Sequence, residues 1–586
     1  MTQWIAGITR GHNGATCLLK DGELVFYVEE ERLSRKKYDG GPLAGMLKIK
    51  DYTDKIDYLV VAHTQGLEHA GKIDFTGDDM FTGWARKLGL IDQRCNSREH
   101  PQVVDLGMIH HEIHAACTFY NSGFESAAVL VVDGAGTFIP LGDTIGWELE
   151  TIFSANYPAK FTTKYKHIGV RGPQTSYEKI QVPHANRGHE ELHDVIFTDH
   201  PGITKCYEAM TDYCGFSFIE AGKAMGLAPY GKPNAKIPNI FLGPEQRNLS
   251  NRNLFVPNYP NGAYIDKVAN TALNTDSLEM KKDLAFAVQE ATQAQMVKLI
   301  LNALERTGET NICIAGGYGL NCVANYEYLK HLPEGVNLYC EPIAHDGGTC
   351  IGAAKLVYHQ LTNDTTIRKQ TTIYYGPNYC ANNGGYNIEL VDGETIVDIT
   401  KDEIIDLILQ EKIVCLYQGG SEAGPRALGN RSILFDPRVE NGKDIVNSVK
   451  HREWFRPFAG SILAEHVHEW FDLRGMPDSP VMMYAVDCLP GVADKIPSII
   501  HVDGTCRIQT VTKQQNEHYY ELIKNFYDKT GVPILFNTSF NLGGDPLVET
   551  IEDALTTLRN SELEYLYLPE INKLIHIPHN FIKEEE

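Results

Sequence analysis

Three observations predict an α/β protein of at least two domains. Short β-branched runs, AVLVV (128–132) and NICIA (311–315) among them, end at glycine-bearing turns, as buried strands of an α/β sheet do. A chain of 586 residues exceeds what one hydrophobic core supports. Composition also shifts after residues 358–383, where periodicity is lost and the sequence turns polar, like a linker. The expected division is 1–360, a linker at 361–383, and 384–586.

Composition narrows the classes. Hydrophobic residues at 43% and charged residues at 22% are ordinary for a soluble globular protein. A formal charge of −23 argues against gripping duplex nucleic acid through its phosphates. The chain shows no N-terminal basic-plus-apolar signal and no apolar run long enough to span a bilayer. The 13 cysteines are scattered singly, without a C-x-x-C pair, which predicts reduced thiols in a cytoplasmic protein.

The chain opens with a strand (WIAGIT), a polar turn (GHNG) and a hairpin at Asp21-Gly22. This opening resembles that of the actin-like ATPases, whose first turn faces the ligand. His12 lies on that turn. Its residue type favours a turn cap, with a general base as the functional reading. The charge run EEERLSRKKYDG reads as a solvated helix face, although Lys37 could turn toward an anion. A strand at 58–62 ends at His63, residues 65–100 read as a mobile, partly helical insertion, and 137–215 reads as irregular. Residues 281–306 form a long helix with Leu284, Val288, Ala291, Val297, Ile300, Leu301 and Leu304 on its apolar face and Gly308 as its stop.

The stretch 105–136 carries the densest chemistry. His110 and His114 are spaced i, i+4 and share one helix face, and AVLVV delivers Asp133 to a Gly-Ala-Gly turn. Asp346, before Gly347-Gly348, is the natural fourth ligand, its alternative role being a helix N-cap. Two imidazoles and two carboxylates make a mixed N/O set suited to a divalent transition metal. Glu220 and Lys223 with Gly222 and Gly226, and Gly316-Gly317 ahead of Asn321, fit backbone lying close to a ligand or phosphate. In the C-terminal half, Arg426, Arg431, Lys450, Arg452, Arg456 and Arg507 concentrate in four compact motifs of an otherwise acidic chain. That pattern implies phosphate recognition over ordinary surface pairing.

These motifs together resemble the O-carbamoyltransferases of the NodU/CmcH type, which carbamoylate nodulation factors, aminoglycosides such as tobramycin, cephems and related natural products. HH-x-x-HAA, VVDG, AGK-x-MGLAPYG, AGG-x-x-LN-x-x-AN and D-x-G-x-x-x-GAA carry the likeness in the N-terminal half. GPRALGNRS, K-x-RE-x-x-RPFA, H-V-D-G-T-x-R-x-Q-T-V and NTSFN carry it in the C-terminal half. Two departures stand out: H-N-G-A replaces the frequent H-D-A/S-A/S, and Gly460 replaces the proline after RPFA, which should loosen a loop there.

The resemblance implies an actin-like ATPase (ASKHA) domain similar to the enzyme that transfers threonylcarbamoyl to tRNA, followed by a YrdC-like α/β domain. It implies that the second domain makes carbamoyl-adenylate from carbamoyl phosphate and ATP, with magnesium on the ATP. The intermediate then moves internally to the first domain for transfer to a hydroxyl. By this likeness His110, His114, Asp133 and Asp346 hold a divalent metal, commonly iron, with manganese, zinc or magnesium as alternatives. His12 is the base, and Lys37, Asp133, Glu220, Gly317 and Asn321 contact the adenylate. Arg426, Lys450, Arg456, Arg507 and Ser539 surround carbamoyl phosphate and ATP, with Arg431, Arg452 and Asn537 as neighbours. The expected partner is a small-molecule hydroxyl acceptor (a sugar, a natural product or a hydroxymethylated nucleotide), with a homodimer left open and no membrane partner. The alternative, an ATP-binding regulatory protein of actin-like fold without carbamoyl chemistry, is disfavoured by the intact cationic motifs.

Overall fold

The computed structural model describes all residues except 1, 72–77, 94–99, 142–143, 171–178, 185–188, 243–253, 259–261, 266–276, 381–384 and 580–586. The chain divides into two compact units: Met1–Glu30 with Tyr38–Gln370, and Glu31–Lys37 with Thr371–Glu586. The charge run was expected in the N-terminal domain as a solvated face. Instead Glu29, Glu30, Glu31 and Arg32 are buried, and Glu31–Lys37 belongs to the second unit. The cause is compensation from far along the chain: within that unit, Arg32 donates to the carbonyls of Glu422 and Gly424.

The first unit contains two mixed sheets. One has the order β3-β2-β1-β4-β5, from β1 (Trp4–Thr9), β2 (Ala15–Lys20), β3 (Glu23–Glu29), β4 (Tyr58–Ala62) and β5 (Val103–Asp105). β1, β2 and β3 are antiparallel, whereas β4 and β5 run parallel to β1. Asp21 and Gly22 both have positive φ (51° and 83°), the backbone that a two-residue hairpin turn requires. After β3 come the short helices α1 (Glu30–Ser34) and α2 (Leu43–Lys48). α3 (Met80–Lys87) follows, with the Asp79 carboxylate capping its first N–H groups.

The second sheet is built on β6 (Ser126–Val132), β14 (Asn311–Ala315) and β15 (Asn337–Cys340), all parallel. It extends through β8 (Thr144–Asn156), β9 (Lys160–Val170), β11 (His189–Thr198) and β10 (Lys179–His184), with β7 (Phe138–Leu141) on β8. The 137–215 segment, expected to be irregular, is therefore mostly long strands followed by α5 (Gly202–Tyr213). α6 (Ala221–Leu227) follows, and β12 (Phe255–Asn258) and β13 (Gly262–Ile265) form a separate hairpin. α7 (Leu278–Thr307) ends at Gly308, in left-handed backbone. Its buried row is Met280, Leu284, Val288, Thr292, Met296, Ile300 and Ala303, and Leu301, expected inside, is exposed.

Two helices connect the sheets to the site. α4 (His110–Ser122), buried along its whole length, packs on β6 and β14. α9 (Thr349–Thr362) packs on β1, β2 and β4, and the two helices pack on each other. Glycine makes that approach possible, since a Cβ on Gly352 would lie 2.0 Å from the Ile113 carbonyl oxygen. α8 (Cys322–Tyr328) completes the unit.

The second unit has one ten-stranded sheet of order β16-β25-β24-β17-β18-β23-β19-β22-β21-β20. Its strands are β16 (Thr395–Asp398), β17 (Val414–Tyr417), β18 (Arg431–Phe435), β19 (Ala459–Leu463), β20 (Phe471–Asp472), β21 (Ala485–Cys488), β22 (Thr505–Val511), β23 (Ile534–Ser539), β24 (Tyr565–Leu568) and β25 (Lys573–His576). Gly460 lies inside β19, paired with Ile508 and Phe536, so its replacement of proline loosens no loop. The α/β class is the one expected: two mixed sheets in the first unit, then a mixed α/β unit. Among the described residues every cysteine is unpaired, and no helix is long and apolar enough to cross a membrane.

Candidate functional sites

In the first unit, His110 and His114 sit one turn apart at the start of α4, and their Nε2 atoms are 3.1 Å apart. Asp133 leaves the end of β6 with Oδ2 3.4 Å from His110 Nε2. Asp346 Oδ1 lies 3.5 Å from His110 Nε2 and 3.4 Å from His114 Nε2. One ligand atom from each of the four falls within 4.8 Å of the others, a set that could hold a metal ion. Asp346 is not the cap its sequence position suggested. His345 takes that role through Nδ1, which accepts the Gly347 N–H at 2.9 Å, and the Asp346 carboxylate faces the histidines.

Parallel pairing of Ala315 with Val131 sets Gly316-Gly317 beside Asp133. Gly316 has φ 87°, and a Cβ there would be 2.2 Å from the Val132 carbonyl oxygen. Only glycine fits this backbone, and its neighbour Gly317 donates its N–H to Asp133 Oδ1 at 3.2 Å. Burial opposes a charge on His110, but hydrogen bonds and charge from Asp133 and Asp346 outweigh it and push its pKa up to about 10. Burial likewise opposes ionisation of Asp346, and His110 and His114 prevail to hold it well below the carboxylate range. The cluster is thus a negative site that takes up a positive charge.

His12, on the first turn and half exposed, has Nδ1 3.8 Å from Asp346 Oδ2. Asn321 caps α8 through Ala324 N–H and exchanges two amide hydrogen bonds with Gln289. Glu220 pairs with Lys223 at 2.9 Å. Lys37, counted with the second unit, pairs with Glu31 at 2.6 Å.

Four residues escaped the sequence reading. His63, after β4, accepts the Gln65 N–H on Nδ1 and is pushed down to about 3, chiefly by burial, then by Arg10 and His110. Its place after a strand that pairs with β1 was the available signal. His111 is fully buried, its Nδ1 2.7 Å from Thr151 Oγ1. Lys205 and Glu208, an ion pair on α5, occupy the space over Gly134: a Cβ there would meet Glu208 Oε1 at 2.5 Å. Nothing in their sequence context marked them.

The second unit gathers like charge. Ala459 on β19 pairs with Arg507 on β22 and with Asn537 on β23. Burial, then Arg456, Arg507 and Arg426, depress the Arg452 guanidinium well below its usual range. Arg452 also lies over the Phe458 ring, 5.0 Å from its centroid. Such a concentration calls for an anion.

Two expected members of the anion site make extensive contacts with backbone. Arg431 is fully buried. Its Nη1 donates to the Gln418 and Asn430 carbonyls and its Nη2 to those of Gly419 and Glu549, while its plane lies 3.8 Å from the Tyr417 ring centroid. Lys450 Nζ donates to the Ser539 and Asn541 carbonyls and to Asn541 Oδ1, three acceptors for its three protons. Both serve backbone carbonyls in this structure. Asn537 is likewise buried, bonding the Ala427 carbonyl at 3.2 Å, and Ser539 Oγ donates to Asn541 Oδ1 at 2.6 Å.

Known proteins share both halves. The carbamoyltransferase N-terminus model matches residues 80–355 and the carbamoyltransferase C-terminus model residues 405–573. Nodulation protein NolNO of Sinorhizobium fredii is 30% identical over 594 residues, covering 95% of this chain and 78% of that one. Nodulation protein NolO of Bradyrhizobium diazoefficiens is 31% identical over 482 residues, covering 78% of this chain and 77% of that one. Among solved structures, full-length HypF in its phosphate- and nucleotide-bound form aligns with a TM-score of 0.35 at 12% identity, over 61% of this chain and 56% of that one. That likeness is too loose to carry an argument. The chain belongs to the carbamoyltransferase family and is accordingly a transferase.

Proposed function

We propose that the chain is an ATP-dependent O-carbamoyltransferase working through carbamoyl-adenylate. Carbamoyl phosphate and one water give carbamate and phosphate. A carbamate oxygen then attacks the α-phosphorus of magnesium-bound ATP, expelling pyrophosphate. Arg426, Arg452, Arg456, Arg507 and the Ser539 hydroxyl would bind these anions, with Lys450, Arg431 and Asn537 shaping the backbone around them. The observation that carries this reading is the Arg452 cluster, whose mutual repulsion an anion would relieve.

In the first unit the acceptor hydroxyl attacks the carbamoyl carbon, the bond to AMP breaks, and His12 takes the proton. Asp346, 3.8 Å from His12 Nδ1, is placed to orient that ring. Asp133, Glu220, the Gly317 backbone and Asn321 would hold the adenylate. The two-imidazole, two-carboxylate set fits a divalent transition metal such as iron, which would supply Lewis acidity at the carbonyl and the leaving phosphate. The acceptor is a small-molecule alcohol.

The reading is tested by pyrophosphate release from ATP with no acceptor present. Release that requires carbamoyl phosphate is expected, and none at all would refute it. Mass spectrometry of candidate alcohols, seeking one carbamoyl in place of a proton, then identifies the acceptor.

A further inference from the structure

Residues 418–430 lack regular secondary structure, yet they are held from inside and outside. Inside is Glu422, 1% exposed, whose Oε1 accepts the N–H groups of Leu428 (2.7 Å), Asn430 (2.8 Å) and Arg431 (3.3 Å). Outside, the carbonyls face β23 and β22, the latter carrying Arg507. The Ala427 carbonyl accepts from Asn537 on β23, and that of Leu428 accepts from Gln509 on β22 at 2.9 Å and from the Tyr374 hydroxyl at 2.8 Å. Arg32 closes the base by donating to the Glu422 and Gly424 carbonyls.

A buried glutamate serving backbone N–H groups can be mere architecture. The content of this loop argues for more. Arg426 precedes Ala427, whose bond to Asn537 sets it one strand from Ala459 and two from Arg507. Charge on Arg426 acts on Arg452, and an arginine on irregular backbone keeps such a place only while the loop beneath it is held.

We propose that Glu422 is a positioning residue for the anion site: its carboxylate gathers residues 428–431 so that Arg426 stays among Arg452, Arg456 and Arg507 to meet a phosphate. This rests on the anion-binding reading of that cluster and adds a residue to it.

The test is a double-mutant cycle on the full chain, read as the dissociation constant for inorganic phosphate by calorimetry. Glu422→Ala weakens phosphate binding about tenfold, near the value of one charged hydrogen-bonding group. In an Arg426→Ala background the same change costs less than about twofold, because the residue through which it acts is gone. In the reaction assay, the KM for carbamoyl phosphate rises while the kcat of the saturated enzyme changes little. Should Glu422→Ala fail to fold, Glu422→Gln, which keeps one acceptor oxygen, carries the cycle. Equal costs in the two backgrounds, or unchanged phosphate affinity in a folded variant, would overturn the proposal, as would a wild-type protein that binds no phosphate. Phosphate binding without carbamoyl-phosphate-dependent pyrophosphate release would instead count against the proposed reaction and leave this inference standing.

Discussion

The two units concentrate charge in opposite ways. In the first, two imidazoles and two carboxylates converge within 4.8 Å, and the two carboxylates favour positive charge on His110. In the second, arginines crowd together until Arg452 is pushed far below its usual range. The first cluster suits a cation and the second an anion. The contrast teaches that the two units suit ligands of opposite charge, as the proposed division of the reaction into activation and transfer requires.

The largest effect expected falls in the first unit. His12→Ala should leave carbamoyl-phosphate-dependent pyrophosphate release intact and slow transfer by about 10²–10⁴-fold, the usual worth of a general base. Single-turnover kinetics would separate the steps, and unaltered transfer would remove His12 from that role. In the second unit, Arg456→Ala or Arg507→Ala should cut pyrophosphate release about a hundredfold, from a charge-assisted contact worth about 3 kcal/mol. Wild-type release would contradict the contrast.

Stability distinguishes one arginine from another. Arg431→Ala strands four carbonyls that its guanidinium serves, and should destabilise the second unit by on the order of 3–5 kcal/mol. Arg507→Ala relieves repulsion and should change stability by about 1 kcal/mol or less. Denaturant titration of both variants would show whether the two have been told apart correctly.

That distinction marks where sequence stopped being informative. β6 and β14, with the Gly316-Gly317 turn, are written locally: a β-branched run, then residues that only one backbone accepts. His110, His114, Asp133 and Asp346 were legible because each ends or begins such an element. β8 and β9 were not, because ion pairs occupy their interior. Glu148 pairs with Lys166 and Glu150 with His167, so charged residues stand in strands buried there on both faces and no continuous apolar run marks them. The run at 30–37 misled for a similar reason, since the carbonyls that satisfy Arg32 lie about 390 positions away. Residue type alone also cannot separate an arginine that serves carbonyls, such as Arg431, from one proposed to bind phosphate.

A smaller, pH-dependent effect probes the support under α4. Asn121, near the end of that helix, bonds Glu341 Oε2 at 3.1 Å and Lys355 Nζ at 2.7 Å. Burial raises the Glu341 carboxyl from 4.5 to about 7 despite these partners. A raised carboxylate pKa means the folded state holds its proton more tightly. Its contribution to stability is therefore fully present below pH 4.5 and is lost as pH rises toward about 7. The full loss corresponds to about 3 kcal/mol. Glu341→Gln should flatten the stability profile across that window, and a slope matching the wild type would refute the assignment.

The most direct test of the contrast separates the two ions. Protein treated with a chelator that removes transition metal and returned to magnesium is given ATP and carbamoyl phosphate, and first-turnover pyrophosphate is measured beside transfer to an acceptor. The account predicts that pyrophosphate release survives while transfer is lost. Loss of both together would contradict it.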